Sequence, residues 1–269
     1  MTAFIHHLAY DFKTGIRDRS KLMMFYLFPI VFFLLIGGLM SSLNPGFKQT
    51  MVPGMVVFAF MCSTLLLLPG VLVNARETGV FRSYRINGIP AGSIVSIPVV
   101  STAVHMVVVA VLITFLGMRV YSGVAPSQAA GFVVAGLLSY LMWAGIGILI
   151  GVAAGNTTVS MLVAQIIYIP SIMLGGLIVP TSILPAGLRR ISLLLPATHS
   201  TRVFVGLGMP DSPGTPWLSL GVIAASIVIS FGLSALLFEW DSRAQAPSRK
   251  AWAALLAMAP FVAAALIGA

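Results

Sequence analysis

Residues 75–93 read ARETGVFRSYRINGIPAGS and lie between two long apolar runs. The stretch gathers Arg76, Glu77, Arg82 and Arg85, half of the charged residues between Lys21 and Arg202. A loop that only reverses the chain needs about 4–6 residues. This one has room for a short helix, with Gly88 and Pro90 as its stop signals. One reading is a basic loop held at lipid headgroups; the other is a docking element for a cytoplasmic partner. The mixed charge favours docking, because a loop that binds only lipid gains nothing from Glu77.

Composition identifies the solvent for the flanking runs. Hydrophobic residues make up 59% of the 269-residue chain and charged residues 8%, against about 25% charged in a soluble domain. So few charges cannot clothe a surface in water, so most of the chain is expected to form spans in a single membrane domain. The net charge of +9 would suggest nucleic acid in a soluble protein. Here the cations sit between apolar runs, where the positive-inside rule accounts for them, and no nucleic-acid partner is expected. Cys62 is the single cysteine, so no disulfide framework exists, and it reads as a small buried hydrophobe. No cleavable signal peptide is expected.

Residues 1–21 form the first unit, read as an amphipathic helix over 3–20 lying on the membrane surface. Ile5, Leu8, Phe12 and Ile16 fall on one stripe; His6, Asp11, Lys13, Arg17 and Asp18 lie off it. A membrane domain follows over 22–240. Its first span, Leu22–Met40, carries Phe25, Phe28 and Phe32, which face either a path, lipid or the core. The outer turn Asn44-Pro45-Gly46 leads to the second span, Val52–Asn74. After the docking stretch come a third span, Ile94–Met118, with His105 near its middle, and a fourth, Gln128–Gly155. The fourth holds Gly131, Gly136, Gly145, Gly147 and Gly151, a spacing that lets helices approach closely in lipid. A tight turn at Asn156-Thr157-Thr158 precedes the fifth span, Val159–Val179.

Residues 180–216 are apolar but broken by Pro180, Pro185, Pro196, Pro210, Pro213 and Pro216. The pieces Ala186–Leu195 and Ala197–Leu207 are too short to cross, so they read as a hairpin dipping into the outer face and packed against other spans or a partner chain. The sixth span is Trp217–Phe238. Residues 241–269 comprise a basic linker and an apolar run, 251–268, read as a seventh span despite Pro260, the alternative being a tail lying on the surface. This topology puts ten of the fifteen Lys and Arg residues inside, which gives a cytoplasmic N-terminus and an outer C-terminus.

Several chemistries lack their residues. The six acids are Asp11, Asp18, Glu77, Asp211, Glu239 and Asp241, none in mid-span, so a proton- or sodium-coupled pump is disfavoured. His105 reads as a histidine hydrogen-bonded to a neighbouring helix. No G-x-S-x-G elbow, no metal-ligand spacing and no Walker A loop is present. Uphill transport would draw its energy from another polypeptide.

These features resemble the membrane permease of type-2 ATP-binding-cassette exporters, the group that includes drug, antibiotic-resistance and lipid or polysaccharide export permeases. The N-terminal helix is similar to that family's connecting helix. Arg76-Glu77-Thr78-Gly79 with Tyr84-Arg85-Ile86 and Pro90 is similar to its coupling helix between spans two and three. Residues 180–185, PTSILP, with Pro196-Ala197-Thr198 are similar to its outer re-entrant hairpin. The resemblance covers about residues 3–240, and residues 251–268 depart from the six-span pattern.

The resemblance implies an all-α integral membrane protein that is not itself an enzyme. It implies a six-helix permease core paired with a second permease, identical or homologous, in the plasma membrane. Two cytoplasmic ATPase subunits would carry ATP and Mg; no cofactor is expected in this chain. Glu77, Gly79, Arg82, Tyr84, Arg85 and Gly88 would serve coupling, with the two glycines allowing close backbone approach. Phe25, Phe28 and Phe32 would touch a hydrophobic or amphipathic substrate, and the hairpin with Pro180, Pro185 and Pro196 would close the exit. Two other readings stand beside it: a non-transporting scaffold or sensor subunit, and a lipid-acting enzyme with His105 or His199 as base.

Overall fold

The computed structural model describes residues 2–44, 46–210, 216–240 and 249–267. Pro45, Asp211, Pro213, residues 241–248 and the last two residues, all used in the sequence reading, lie outside the described residues.

Helix α1 (Thr2–Arg17) leads into one continuous helix made of α2 (Arg19–Leu22), a π-helical turn (Met23–Leu27) and α3 (Phe28–Leu43). Asp18 starts it by accepting hydrogen bonds from the backbone N–H groups of Ser20 and Lys21, at 2.9 and 3.2 Å. Those are donors that a first turn leaves orphaned. Pro29 lacks the N–H that an α-helical turn would use, and the wide turn lies just before it.

The second span differs from the reading as one helix over Val52–Asn74. It extends from Phe47 to Glu77 and breaks at Leu66–Leu67 into α4 (Phe47–Leu65) and α5 (Leu68–Glu77). Pro69 is the cause: it cannot donate to a carbonyl one turn back, and its ring crowds that turn. Short helix α6 (Val80–Ile86) follows, then α7 (Ala91–Val120), α8 (Ala129–Ala153) and α9 (Thr157–Leu174). Helix α9 stops at Leu174, earlier than expected.

The proline-rich region folds as a 3-10 turn (Thr181–Ile183), α10 (Ala186–Ser192) and α11 (Pro196–Gly208), ahead of α12 (Trp217–Leu237). Pro180, Pro185 and Pro196 each sit at the start of one of these elements, where a missing N–H costs nothing. Among the described residues there is no strand, and six helices are long and apolar enough to cross a membrane.

Helix α4 occupies the centre. All residues from Met51 to Leu65 are buried, with α3, α7, α8 and α11 packed around them. Two glycines of α8 make this possible. A Cβ on Gly147 would overlap the Thr64 carbonyl, and one on Gly131 the Leu207 carbonyl, so α4 and α11 approach α8 backbone to backbone. The hairpin limb α11 is largely buried among α4, α8, α9 and α12, and fully buried Trp143 of α8 donates from Nε1 to Ser200 Oγ at 3.2 Å.

After α12, a 3-10 segment (Arg249–Met258) and α13 (Ala259–Ile267) pack along α12 and α8. Phe261 is buried 5.7 Å from the His199 ring on α11. The apolar stretch Trp252–Ile267 is shorter in residues than the six spans. At roughly 2.0 Å per residue in its 3-10 part and 1.5 Å in α13, it still reaches about 27 Å. Pro260 stands in the first turn of α13 instead of interrupting it.

Candidate functional site

One end of the bundle carries α1, α6 and the α8–α9 turn; the hairpin lies toward the other. The 75–93 stretch forms a mounted helix at the first end. Helix α5 ends at Glu77, and Gly79 (φ +77°) reverses the chain into α6. Gly88 (φ +69°) ends α6 in a Schellman motif, with Ile89 N–H donating to Tyr84 O at 3.0 Å and Gly88 N–H to Arg85 O at 3.2 Å. Pro90 then opens α7. A Cβ on Gly79 or Gly88 would meet nothing within 4 Å. Within this chain the two glycines serve a left-handed backbone, and close approach is not what demands them.

The two faces of α6 differ. Phe81 and Tyr84, three residues apart, turn inward. Phe81 is buried against Phe238, just past α12, with ring centroids 5.5 Å apart. Tyr84 packs edge-on against His7 of α1 at 5.2 Å. Burial there, with Asp11 and Tyr10 nearby, holds the Tyr84 phenol above its ordinary range. Arg82, Arg85 and Ile86 turn outward, with Ile86 79% exposed. Together with Trp240 they line a shallow hollow of about 400 Å³.

The foot of this helix is tied down by two residues. Arg76 donates from Nη1 to Val152 O at 3.1 Å and from Nη2 to Ala154 O, capping the carbonyl end of α8. Glu77 Oε2 accepts from Thr157 Oγ1 at 3.0 Å, at the first residue of α9. The expected coupling residues therefore divide. Arg82 and Arg85 face outward, Glu77 and Tyr84 hold other parts of the chain, and Gly79 and Gly88 shape the turns.

The sequence reading gave no role to His7 or Phe81, placed Thr157 only in a tight turn and Phe238 only at the end of a span, and counted Arg76 among the docking charges. Arg76 and Glu77 could have been assigned from their place at a helix end, where an arginine commonly meets carbonyls. Nothing local marks Thr157 or Phe238 as their partners.

The aromatic residues of the first span also separate. Phe25 is buried and stacks on His105 at 4.9 Å, while Phe12 of α1 stacks on the same ring at 4.9 Å. Tyr26 Oη lies 2.8 Å from His105 Nδ1, the interhelical hydrogen bond expected for this histidine. The π-helical turn lets consecutive residues, Phe25 and Tyr26, both reach it. His105 lies near the middle of α7, as expected, and it lines one small hollow with Asp11, Gly15 and Lys21.

Phe32 stacks on buried Phe58 at 4.0 Å, and Phe28 leans on both while remaining 42% exposed. Phe28 and Phe32 thus line one patch, and Phe25 belongs to the joint with α1. Buried Cys62 lies 3.4 Å from Tyr168 Oη on α9. On α1 itself Leu8 and Phe12 are half-buried against the bundle, whereas Ile5 and Ile16 of the expected stripe are 58% and 47% exposed.

A family model described as ABC-2 type transporter matches residues 2–207, from α1 almost to the end of α11. The chain belongs to the ABC-2 type transporter family. As an ABC-2 permease it is a multi-pass membrane protein and the transport component of its system, built on the all-α core inferred from the sequence. The matched range contains the whole mounted helix, while α12 and α13 lie beyond it. No curated protein matches the chain.

Proposed function

We propose that this ABC-2 permease exports a hydrophobic or amphipathic compound, of drug, antibiotic or lipid-like character, from the cytoplasm or inner leaflet of the plasma membrane. A second permease, identical or homologous, pairs with it, and two cytoplasmic ATPase subunits supply ATP and Mg. The end bearing α1 and α6 faces the cytoplasm, in keeping with Lys13, Arg17, Arg19, Lys21, Arg76, Arg82 and Arg85 gathered there. Residues 251–268 cross the membrane a seventh time, leaving Ala269 outside.

The observation that carries this reading is the mounting of α6. It turns an arginine and isoleucine face outward, yet its inner face and foot are joined to α1, α8, α9 and the end of α12. A loop that merely touched headgroups would need none of those joints. A helix that delivers displacement from an ATPase into the bundle needs all of them. Phe28, Phe32 and Phe58 form the apolar patch against which a substrate would move.

Reversing Arg82 and Arg85 together to Glu tests the assignment. The double variant should insert and fold normally but lose ATPase association or substrate-stimulated hydrolysis, because like charges then face the docking surface. Full ATP-dependent export at normal expression would remove α6 from the coupling path. It would return α6 to an ordinary basic loop, as in a scaffold subunit.

A further inference from the structure

At the hairpin end, a cavity of about 740 Å³ opens between the start of α4, the 3-10 turn, α11 and the start of α12. Its character differs from the apolar surface around it. Arg202 of α11 lines it, flanked in sequence by buried Thr201 and Val203, so its stem leaves a packed helix and enters the hollow. Arg189 and Arg190 on α10 are exposed, and Arg190 can snorkel into water as interfacial cations do. Arg202 is half-buried.

A guanidinium carries five N–H donors and no acceptor. Among the described residues Arg202 makes no ion pair or hydrogen bond, and the charged group acting on it is another cation, Arg189. The four described acids, Asp11, Asp18, Glu77 and Glu239, all belong to the opposite end of the bundle.

The rest of the lining points the same way. Gln49, Thr50, Thr181 and Ser182 supply amide and hydroxyl donors, and Thr50 Oγ1 is buried without a partner. Behind the rim, the Arg189 guanidinium holds the Ser182 and Leu184 carbonyls at 3.1 Å each, which fixes the 3-10 turn and brings a second positive charge near. The mouth is apolar: Trp217, Ile183 and Leu218 are 72%, 64% and 38% exposed. A cation would be repelled and would find no carboxylate among these residues. A purely apolar ligand would leave the donors stranded.

We propose that this cavity binds the acidic headgroup of an amphiphile, a phosphate or carboxylate gripped by Arg202, with the ligand's tail lying over Trp217 and Leu218. The fork geometry of arginine suits two oxygens of one oxyanion, and tryptophan is the residue expected where a tail meets a headgroup. The site stands on the cavity alone, whether or not the chain exports anything.

The test uses the purified full-length chain in a neutral maltoside detergent, titrated with dioleoyl phosphatidylglycerol or dioleoyl phosphatidylcholine while thermal unfolding is followed. The anionic lipid should half-saturate its stabilising effect at about tenfold lower concentration than the zwitterionic one. Arg202→Gln should abolish that preference while leaving the response to phosphatidylcholine unchanged. Arg202→Lys should keep part of it. A second measurement needs no variant of Arg202: brominated phosphatidylglycerol should quench tryptophan emission more than brominated phosphatidylcholine, and Trp217→Phe should remove the difference.

Competition by millimolar inorganic phosphate would identify a free oxyanion as a sufficient ligand, and lack of competition would identify the lipid-borne headgroup; either is consistent with the site. Equal effects of the two lipids on the wild-type chain would overturn the proposal. So would a preference for the anionic lipid that survives in Arg202→Gln.

Discussion

Thr157 Oγ1 donates a 3.0 Å hydrogen bond to Glu77 Oε2, joining the last residue of α5 to the first of α9 across 80 positions of sequence. The carboxylate that looked like a docking charge is engaged inside the chain. Any effect of changing it should therefore travel through α9.

A double-mutant cycle separates the two roles. Glu77→Ala and Thr157→Val should each reduce substrate-stimulated ATP hydrolysis up to about fivefold, the scale of one hydrogen bond worth about 1 kcal/mol. The combined variant should be no worse than either alone. If the double variant lost activity as the product of the singles, Glu77 would be acting on a partner independently of Thr157.

Gly79→Ala and Gly88→Ala should each destabilise the chain by about 1–2 kcal/mol, because φ values of +77° and +69° place an L side chain in the left-handed region. Gly88→Asn should cost less than Gly88→Ala. Gly92→Ala serves as the control, since its φ is ordinary and its Cβ would enter open space. Thermal midpoints of the purified chain in detergent decide the order; equal midpoints for Gly88→Ala and Gly92→Ala would refute it.

Along α8 the contrast is steric. Gly147→Ala should cost about 1–3 kcal/mol, since its Cβ would strike the Thr64 carbonyl of α4 and backbone cannot step aside as a side chain can. Gly136→Ala, whose Cβ would rest 3.6 Å from Phe204, should be tolerated. Monodispersity and thermal midpoint after purification read the difference, and a Gly147→Ala chain as stable as wild type would contradict the close approach.

The Tyr26–His105 pair offers a test of how α1 is held. Tyr26→Phe removes the sole described partner of a buried imidazole whose Nε2 already lacks one, at a cost of about 1–3 kcal/mol. Adding His105→Leu should recover part of that loss, because an apolar side chain between Phe12 and Phe25 leaves no polar atom unsatisfied. A double variant less stable than Tyr26→Phe would show that ring stacking outweighs the hydrogen bond.

What could be read from residues alone follows how local each signal is. The end of α6 was legible because Gly88 and Pro90 act on their own backbone, and the spans because twenty apolar residues have one outcome in lipid. The break in the second span was equally local, signalled by Pro69-Gly70, but was hidden by the apolar residues around it. Directions around a helix were not legible. In a span apolar on every side, periodicity carries no contrast between core and lipid, so nothing distinguished Phe25, turned to His105, from Phe28, left 42% exposed. The internal contacts of Tyr84 and Glu77 were hidden for a related reason: a polar side chain beside a charged turn looks the same whether its partner is another protein or residue 7 or 157 of its own.

The interruption at Leu66–Leu67 has a mechanical meaning. An unbroken helix from Phe47 to Glu77 would behave as one stiff rod about 45 Å long, and a displacement at its foot would be felt undiminished at the hairpin end. With the rod cut, α5 is a separate ten-residue segment that packs along α8 and is tied at its tip to the α8–α9 turn. If α6 couples an ATPase to the bundle as proposed, motion entering there would pass first to α8 and α9, which α5 touches, and only then to the buried α4.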